Sequence, residues 1–296
     1  MEPEYTALRY EARDRKAYVT LDRPERLNAI DARMPGEIRR AVEQANDDPE
    51  VHVIVLQGAG RSFCAGYDLK AFAEGGVGTQ GAVWDPIKDY RAMKRNTDDF
   101  MTLFRSLKPT IAKVQGHAVA GGSDIALCCD LLTMADDARI GYMPTRVWGC
   151  PTTAMWTYRL GAMRAKQLMF TGDTITGTQA AEWGLANLSV PAERLEEATM
   201  QLAQRIAGVP SSHLMMHKLV VNQVWHSMGL EQSQMFATVF DGITRHNPEG
   251  MWFRRQAEAE GFKSAVQWRD SGRPIPEGDE ARARIAELEA KLAARG

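Results

Sequence analysis

The sequence predicts an α/β core of about 200 residues with a helical region appended to it. Three observations lead there. Strand, turn and helix signals alternate repeatedly within residues 1–135, the pattern becomes mainly helical after residue 150, and small-residue turns sit directly at strand ends. With 296 residues, 44% of them apolar, a chain buries roughly three quarters of its unfolded surface, enough for one large core or two modest ones.

Leu8 and Tyr10, then Tyr18, Val19 and Leu21, form two β-type runs split by Asp14-Arg15-Lys16, a hairpin pattern that Pro24 closes. From Asp31, a candidate N-cap, Met34, Ile38, Val42 and Ala45 recur at helical spacing until Asp47-Asp48-Pro49. Val51 to Leu56 reads as a buried strand, ending at Gly58 and Gly60 before a polar loop to Asp68. Residues 75–81 hold four glycines in seven positions, the composition of a flexible insertion suited to a lid. A helix follows from about Pro86 to Arg105, then a strand from Thr110 to Val114, a turn from Gly116 to Gly122, a helix from Asp124 to Cys129, and a strand from Leu131 to Met134.

Beyond residue 150 a single strand is expected, at Leu185 to Val190, among amphipathic segments near 192–207, 211–228 and 230–246. In the tail, Ala281, Ile285, Leu288 and Leu292 recur at 4-3-4 spacing, with Glu280/Arg284 and Glu287/Lys291 as i,i+4 pairs. This favours a solvated or subunit-hugging helix over a coiled coil. The expected division is therefore a core over 1–200, a helical oligomerisation region over 201–270, and a charged tail over 271–296.

Thirty-six Lys and Arg against 38 Asp and Glu leave a formal charge of −2, without the basic face that nucleic acid or an anionic membrane attracts. The mostly apolar stretch at 111–135 is broken by Lys113, His117, Asp124 and Asp130, so no membrane span of about 20 apolar residues is expected. The charged N-terminal segment lacks a secretory apolar run, which points to the cytoplasm. Cys64, Cys128, Cys129 and Cys150 form no CxxC pair, so neither a disulfide framework nor a metal site is expected.

The chemistry is concentrated in two turns, Ser62 to Lys70 and Gly116 to Asp124. Small residues let a ligand approach the backbone, and a helix start leaves N–H groups pointing outward. Two such groups converging on one point make an oxyanion hole for charge developing on a carbonyl oxygen.

The order and spacing of these turns resemble the crotonase, or enoyl-CoA hydratase/isomerase, family. The resemblance is carried by Arg23-Pro24 with Leu27-Asn28-Ala29, by Val53 to Leu56 with Gly58-Ala59-Gly60, and by Phe63-Cys64-Ala65-Gly66 with Asp68-Leu69. It continues through Lys108-Pro109, Ala120-Gly121-Gly122, Cys129-Asp130-Leu131, Thr171-Gly172, Ala180-Ala181 and Gly184-Leu185, covering about residues 5–210. It implies a spiral of ββα turns, a C-terminal helical region that builds trimers or dimers of trimers, and an acyl-CoA substrate. Coenzyme A would be part of that substrate, with no separate cofactor.

Carried over residue by residue, the resemblance places the amides of Ala65 and Gly121 on the thioester oxygen. It lays Ala65, Gly66, Tyr67 and Asp68 along the CoA, and puts Arg26 and Leu27 beside its nucleotide. Asp124 stands where the family's first catalytic carboxylate stands, and equally suits a dipole-pairing cap. The family's second carboxylate falls on Pro144, and residues 138–172 contain no Asp or Glu. Tyr142 and Arg146 are then the polar groups expected to face the acyl end. Packing is favoured over catalysis for His117, and core over tunnel lining for Trp84, Trp148 and Trp156.

The favoured function is an acyl-CoA hydratase/isomerase-type enzyme with a single carboxylate as acid/base, which suits double-bond isomerisation better than hydration. The alternatives are hydrolysis of a thioester or carbon–carbon bond, and acyl-CoA binding without turnover.

Overall fold

A computed structural model describes residues 4–68 and 84–294. The glycine-rich segment at 75–81 lies outside the described residues.

Strands β1 (Leu8–Arg13) and β2 (Lys16–Leu21) pair antiparallel around a two-residue turn in which Asp14 and Arg15 have φ of 49° and 61°. This left-handed pair matches the twist of the hairpin and leaves Lys16 to open β2 rather than fill the turn. β3 (Val53–Gly58) pairs with β2 in parallel, from Lys16 opposite Val53 to Leu21 opposite Gly58, and every residue of β2 is buried, Ala17, Val19 and Leu21 in the main core and Tyr18 in a cluster with Ala203 and Ala207. Between them runs α1 (Met34–Asp47), which buries Met34, Ile38, Ala41, Val42 and Ala45 on one face. Asp31 acts ahead of its start, accepting from the amides of Arg33 and Met34 at 3.0 Å each.

Helix α2 (Pro86–Arg105), capped by the Asp85 carboxylate on the amides of Ile87 and Lys88, leads into β4 (Thr110–Val114). Then come β5 (His117–Val119), α3 (Gly121–Cys128) and β6 (Leu131–Ala135). After β7 (Arg139–Gly141) the chain forms α4 (Met155–Thr171), broken at Gly161, then β8 (Thr174–Thr176), α5 (Gly177–Glu182) and β9 (Leu188–Val190). The six-stranded sheet runs β1-β2-β3-β4-β6-β9, and a three-stranded sheet runs β5-β7-β8. Strands of three residues, such as β5, β7 and β8, are too short to show a period, and the sequence reading passes over them.

Four of the remaining helices are α6 (Leu195–Ala207), α7 (Ser211–Ser227), α8 (Leu230–His246) and α9 (Pro248–Glu260). α10 (Phe262–Asp270) and α11 (Gly278–Ala293) close the described chain. Packing at this end draws on two clusters. Leu230 belongs to the main core, whereas Val147, Trp252, Phe253, Ala265, Ala281 and Leu288 form a second cluster. The tail helix therefore folds back on its own chain. Glu280 pairs with Arg284 as the spacing predicts, but Lys291 pairs with Glu260.

Candidate active site

Three segments meet at the ends of the sheets. Cys64 bridges to β5, its amide donating to the His117 carbonyl at 2.8 Å and its carbonyl accepting from Val119 at 3.1 Å. On the other side, Gly66 and Asp68 bond to Ile30, at 2.8 and 2.9 Å. The buried Asn28 side chain donates to the carbonyls of Ala59 and Ser62, and Arg23 reaches Asp68 at 3.0 Å, which fastens the loop to the hairpin.

The first turn of α3 is set by an unusual backbone. Ala120 holds φ 52° and ψ −129°, a region that costs an L-residue about 1–3 kcal/mol and survives where its surroundings over-determine it. Here the Ala120 amide donates to Gly141 of β7, and its carbonyl accepts from the Ser123 amide and hydroxyl. The reversal leaves Gly121 as the first helical residue, where an N–H lies beyond the reach of intrahelical carbonyls.

One expectation is corrected. The Ala65 amide does not share that point: it donates to the Leu27 carbonyl at 3.0 Å, consumed in tying the two loops together. In the parallel bridge to Ile30, the Gly66 carbonyl and Asp68 N–H face Ile30, so the N–H of Tyr67 points the other way. A Cβ built on Gly66 would lie 2.8 Å from that of Ala120 and 3.4 Å from the Gly121 nitrogen, which shows how closely the turns approach.

Asp124 lies one turn into α3, 3% exposed, and accepts from the Thr153 hydroxyl at 2.6 Å. Burial and the neighbouring Asp241 charge push its carboxyl up to about 7, against the Thr153 hydrogen bonds that hold it down. Such a value suits proton transfer near neutral pH. Tyr142 is buried within the field of Asp124 and Asp241, and its hydroxyl is driven well above its ordinary range, chiefly by burial. It therefore stays a neutral hydrogen-bonding group.

Arg146 is a second correction. Its guanidinium donates to the Thr171 carbonyl at 2.7 Å and pairs with Asp173 and Asp270, binding the core to α10 instead of facing the acyl end. The buried Pro144 and the short 3-10 turn over Met143–Arg146 turn the side chain outward. Arg146→Ala is expected to leave turnover unchanged while hastening proteolytic cleavage within residues 262–294; a limited-digestion time course alongside an activity assay checks both.

Arg26 is exposed at the end of the Pro24–Arg26 turn, and Leu27 next to it has φ 53°. The Asp68 carboxylate is held by Arg23 and buried to 8% exposure, so its contribution lies in shaping the loop. His117 is exposed, with Nδ1 3.4 Å from the Ser62 hydroxyl, outside the Asp124 cluster. Trp156 is buried in the main core, Trp148 packs edge-on against Phe253 in the second cluster, and Trp84 stacks on His246 at 4.7 Å.

The sequence reading missed Asp241. It sits in α8, 4% exposed, accepting from the Cys150 amide at 3.1 Å and from Arg245 at 3.0 Å. Arg245 also grips Asp89 of α2 through both terminal nitrogens, at 3.0 and 2.7 Å. A signal did exist. The buried face of α8 runs Leu230, Gln234, Ala237, Thr238, Asp241, Gly242, so an acid stands where the helical period calls for an apolar residue. Among the described residues, no group of three or more His, Cys, Asp or Glu is arranged to hold a metal ion, and no helix is long and apolar enough to cross a membrane.

This architecture is matched by known proteins. The sequence profile of the enoyl-CoA hydratase/isomerase family fits residues 12–260, and the chain belongs to that family. The match runs well past residue 210, into the C-terminal helices. An enoyl-CoA hydratase structure from Mycobacterium smegmatis shares 45% identity, covering 90% of this chain and 94% of that one, with a TM-score of 0.86. An enoyl-CoA hydratase/isomerase structure from Xanthobacter autotrophicus Py2 shares 29% identity over 92% of this chain and all of that one, with a TM-score of 0.83. In sequence, the chain is 32% identical over 210 residues to a hydroxycinnamoyl-CoA hydratase-lyase of Pseudomonas fluorescens, covering 69% of this chain and 74% of that protein.

Proposed function

We propose that the chain moves a proton within an enoyl-CoA thioester, with Asp124 as acid/base and the amides of Gly121 and Tyr67 as the oxyanion hole. The observation that carries this reading is the buried Asp124 carboxyl, poised near neutrality one turn from the outward amide of Gly121. Ionised Asp124 takes the C2 proton of a 3-enoyl-CoA. The electron pair spreads over the dienolate onto the thioester oxygen, where the two amides meet it, and Asp124 returns the proton at C4 to give the 2-enoyl-CoA. No water enters the balance.

Hydration is the second reading, since Asp241 lies close enough to raise Asp124. Both of its oxygens are engaged, however, by the Cys150 amide and by Arg245, which leaves isomerisation favoured. Arg26, Leu27 and the segment 65–68 remain the proposed border of the CoA moiety. Incubation with crotonyl-CoA and with a 3-enoyl-CoA, read by absorbance and product mass, tests the choice: conjugation of the 3-enoyl-CoA without a mass change is expected. A gain of 18 Da on crotonyl-CoA would favour hydration, and release of free CoA would favour thioester hydrolysis. Binding without turnover on a broad acyl-CoA panel would leave the non-catalytic reading.

We also propose that the protein works as a trimer or a dimer of trimers in the cytoplasm. α7 buries Lys218 alone, yet carries Met216, Leu219, Val220, Val221 and Val224 at 51–70% exposure, and Phe236, Phe240 and Ile243 of α8 continue the apolar surface. An apolar patch of this kind calls for a cover, and a second copy of the chain supplies the same patch. Light scattering is expected to give three or six times the chain mass, and Val220→Glu with Val221→Glu to lower it to the monomer value.

A further inference from the structure

The loop from Cys150 to Thr153 carries the hydroxyl that faces Asp124, and it has no regular structure of its own. It is gripped from outside the core. Asp241 accepts from the Cys150 amide at 3.1 Å, and Gln234, seven residues earlier on the same buried face of α8, donates to the Thr153 carbonyl at 3.0 Å. From α2, the Thr97 hydroxyl meets the Thr152 hydroxyl at 2.7 Å. Arg245 then locks Asp241 to Asp89, joining α8 to α2 through one guanidinium.

We propose that Asp241 is a positioning residue for Asp124: α8 clamps the Cys150–Thr153 loop through Asp241 and Gln234, fixing the hydroxyl that orients the Asp124 carboxylate and setting a second negative charge beside it. This rests on the reading of Asp124 as the acid/base. Burial does most to raise the Asp124 carboxyl, and in a site without an acid in residues 138–172 Asp241 of α8 adds to it, acting through Asp124 instead of touching the substrate.

Burial is the largest influence against the ionised form of Asp124; among its neighbours, Asp241 adds to that and Thr153 opposes it. Tyr67, Tyr142, Cys150 and Cys128 also lie in the field of Asp124, but burial raises all four, so they stay neutral as Asp124 titrates. Burial raises the Asp241 carboxyl above its ordinary range and Asp89 adds to that, while Arg245 and the Cys150 amide, both bonded to it, favour its charged form.

The test is a carboxyl NMR titration of protein labelled with ¹³C-aspartate, together with 3-enoyl-CoA turnover. In the unaltered protein one carboxyl is expected to titrate near pH 7, and Asp124→Asn removes that signal. Asp241→Asn is expected to move it down by roughly 0.5–1 unit, and to move the acid limb of kcat/KM with it, while Asp241→Glu restores both. Gln234→Leu keeps every charge but frees Thr153, whose hydrogen bond favours ionised Asp124, so it lowers kcat several-fold and moves the titration up, opposite in sign to Asp241→Asn. A folded Asp241→Asn protein whose Asp124 titration is unmoved overturns the inference, as does the absence of any titration that Asp124→Asn removes. If Asp241→Asn fails to fold, a Gln234→Leu protein with unchanged kcat overturns the clamp. An Asp124→Asn protein that turns over normally overturns the acid/base reading instead, even where the titration behaves as expected.

Discussion

Asp124→Asn is expected to lower turnover of a 3-enoyl-CoA by about 10²–10⁴-fold while leaving acyl-CoA binding intact, as read by steady-state kinetics and by calorimetric titration with a saturated acyl-CoA. The amide side chain keeps the shape and the hydrogen bond to Thr153 but cannot accept the C2 proton. With the unaltered protein, kcat/KM is expected to rise with pH and level off above about 7, because the first step needs ionised Asp124 and burial lifts its carboxyl to about 7. Stability moves the opposite way. A carboxyl raised from 3.8 in the unfolded chain to about 7 in the folded one binds its proton more tightly when folded. Its stabilising contribution is full below pH 3.8 and lost as pH climbs to 7. Asp124→Asn, which carries no charge, is therefore expected to lose less thermal stability than the unaltered protein between pH 5 and 8, measured by scanning calorimetry. An Asp124→Asn protein that turned over at the original rate would remove this residue from the chemistry.

Gly121→Ala and Gly122→Ala are expected to fail in different ways, although the two residues are adjacent. A Cβ on Gly122 would stand 2.2 Å from the Cys64 carbonyl oxygen and 2.8 Å from its carbon. Those are backbone atoms of the bridge joining the two turns, so they cannot yield without breaking it. The expected cost is about 3 kcal/mol, seen as a fall in Tm or as insoluble protein. A Cβ on Gly121 would meet the Ile30 Cδ1 at 2.8 Å and the Tyr67 ring at 2.9 Å. Those side chains can shift, so this protein should fold. Shifting Tyr67 against Gly121 disturbs both proposed oxyanion donors, and the loss of one such donor costs 10²–10³-fold in kcat. A folded Gly121→Ala protein with unaltered kcat would place the thioester oxygen elsewhere.

Much of this was legible from residue order. Hydropathic runs long enough to show a period, such as Met34 to Ala45 and Val53 to Leu56, fall where the helix and strand form. The small residues of the two turns identify the family because a backbone bridge between Cys64 and Ala118 leaves no space for larger ones at Gly66 or Gly122. Asp124 was singled out through the resemblance, which places a carboxylate three residues after Gly121, with a helix cap as the other reading of the same acid.

What the chain determines by itself, then, is what neighbouring residues decide among themselves: the α/β order of the core, the two turns and the helical end. Tertiary structure decides the rest. That the Ala65 amide is taken up by the loop around Leu27 depends on its bond to the Leu27 carbonyl, and the placing of Arg146 depends on Asp173 and Asp270 drawing it to them. The Asp241 charge acts on Asp124 because α8 packs against α2 and holds the Cys150 loop, with Arg245 tied to Asp89. Periodicity reads contacts within a turn or two of chain. The proton affinity of a buried carboxyl depends instead on which charges folding brings within a few ångströms, and those come from anywhere in the sequence.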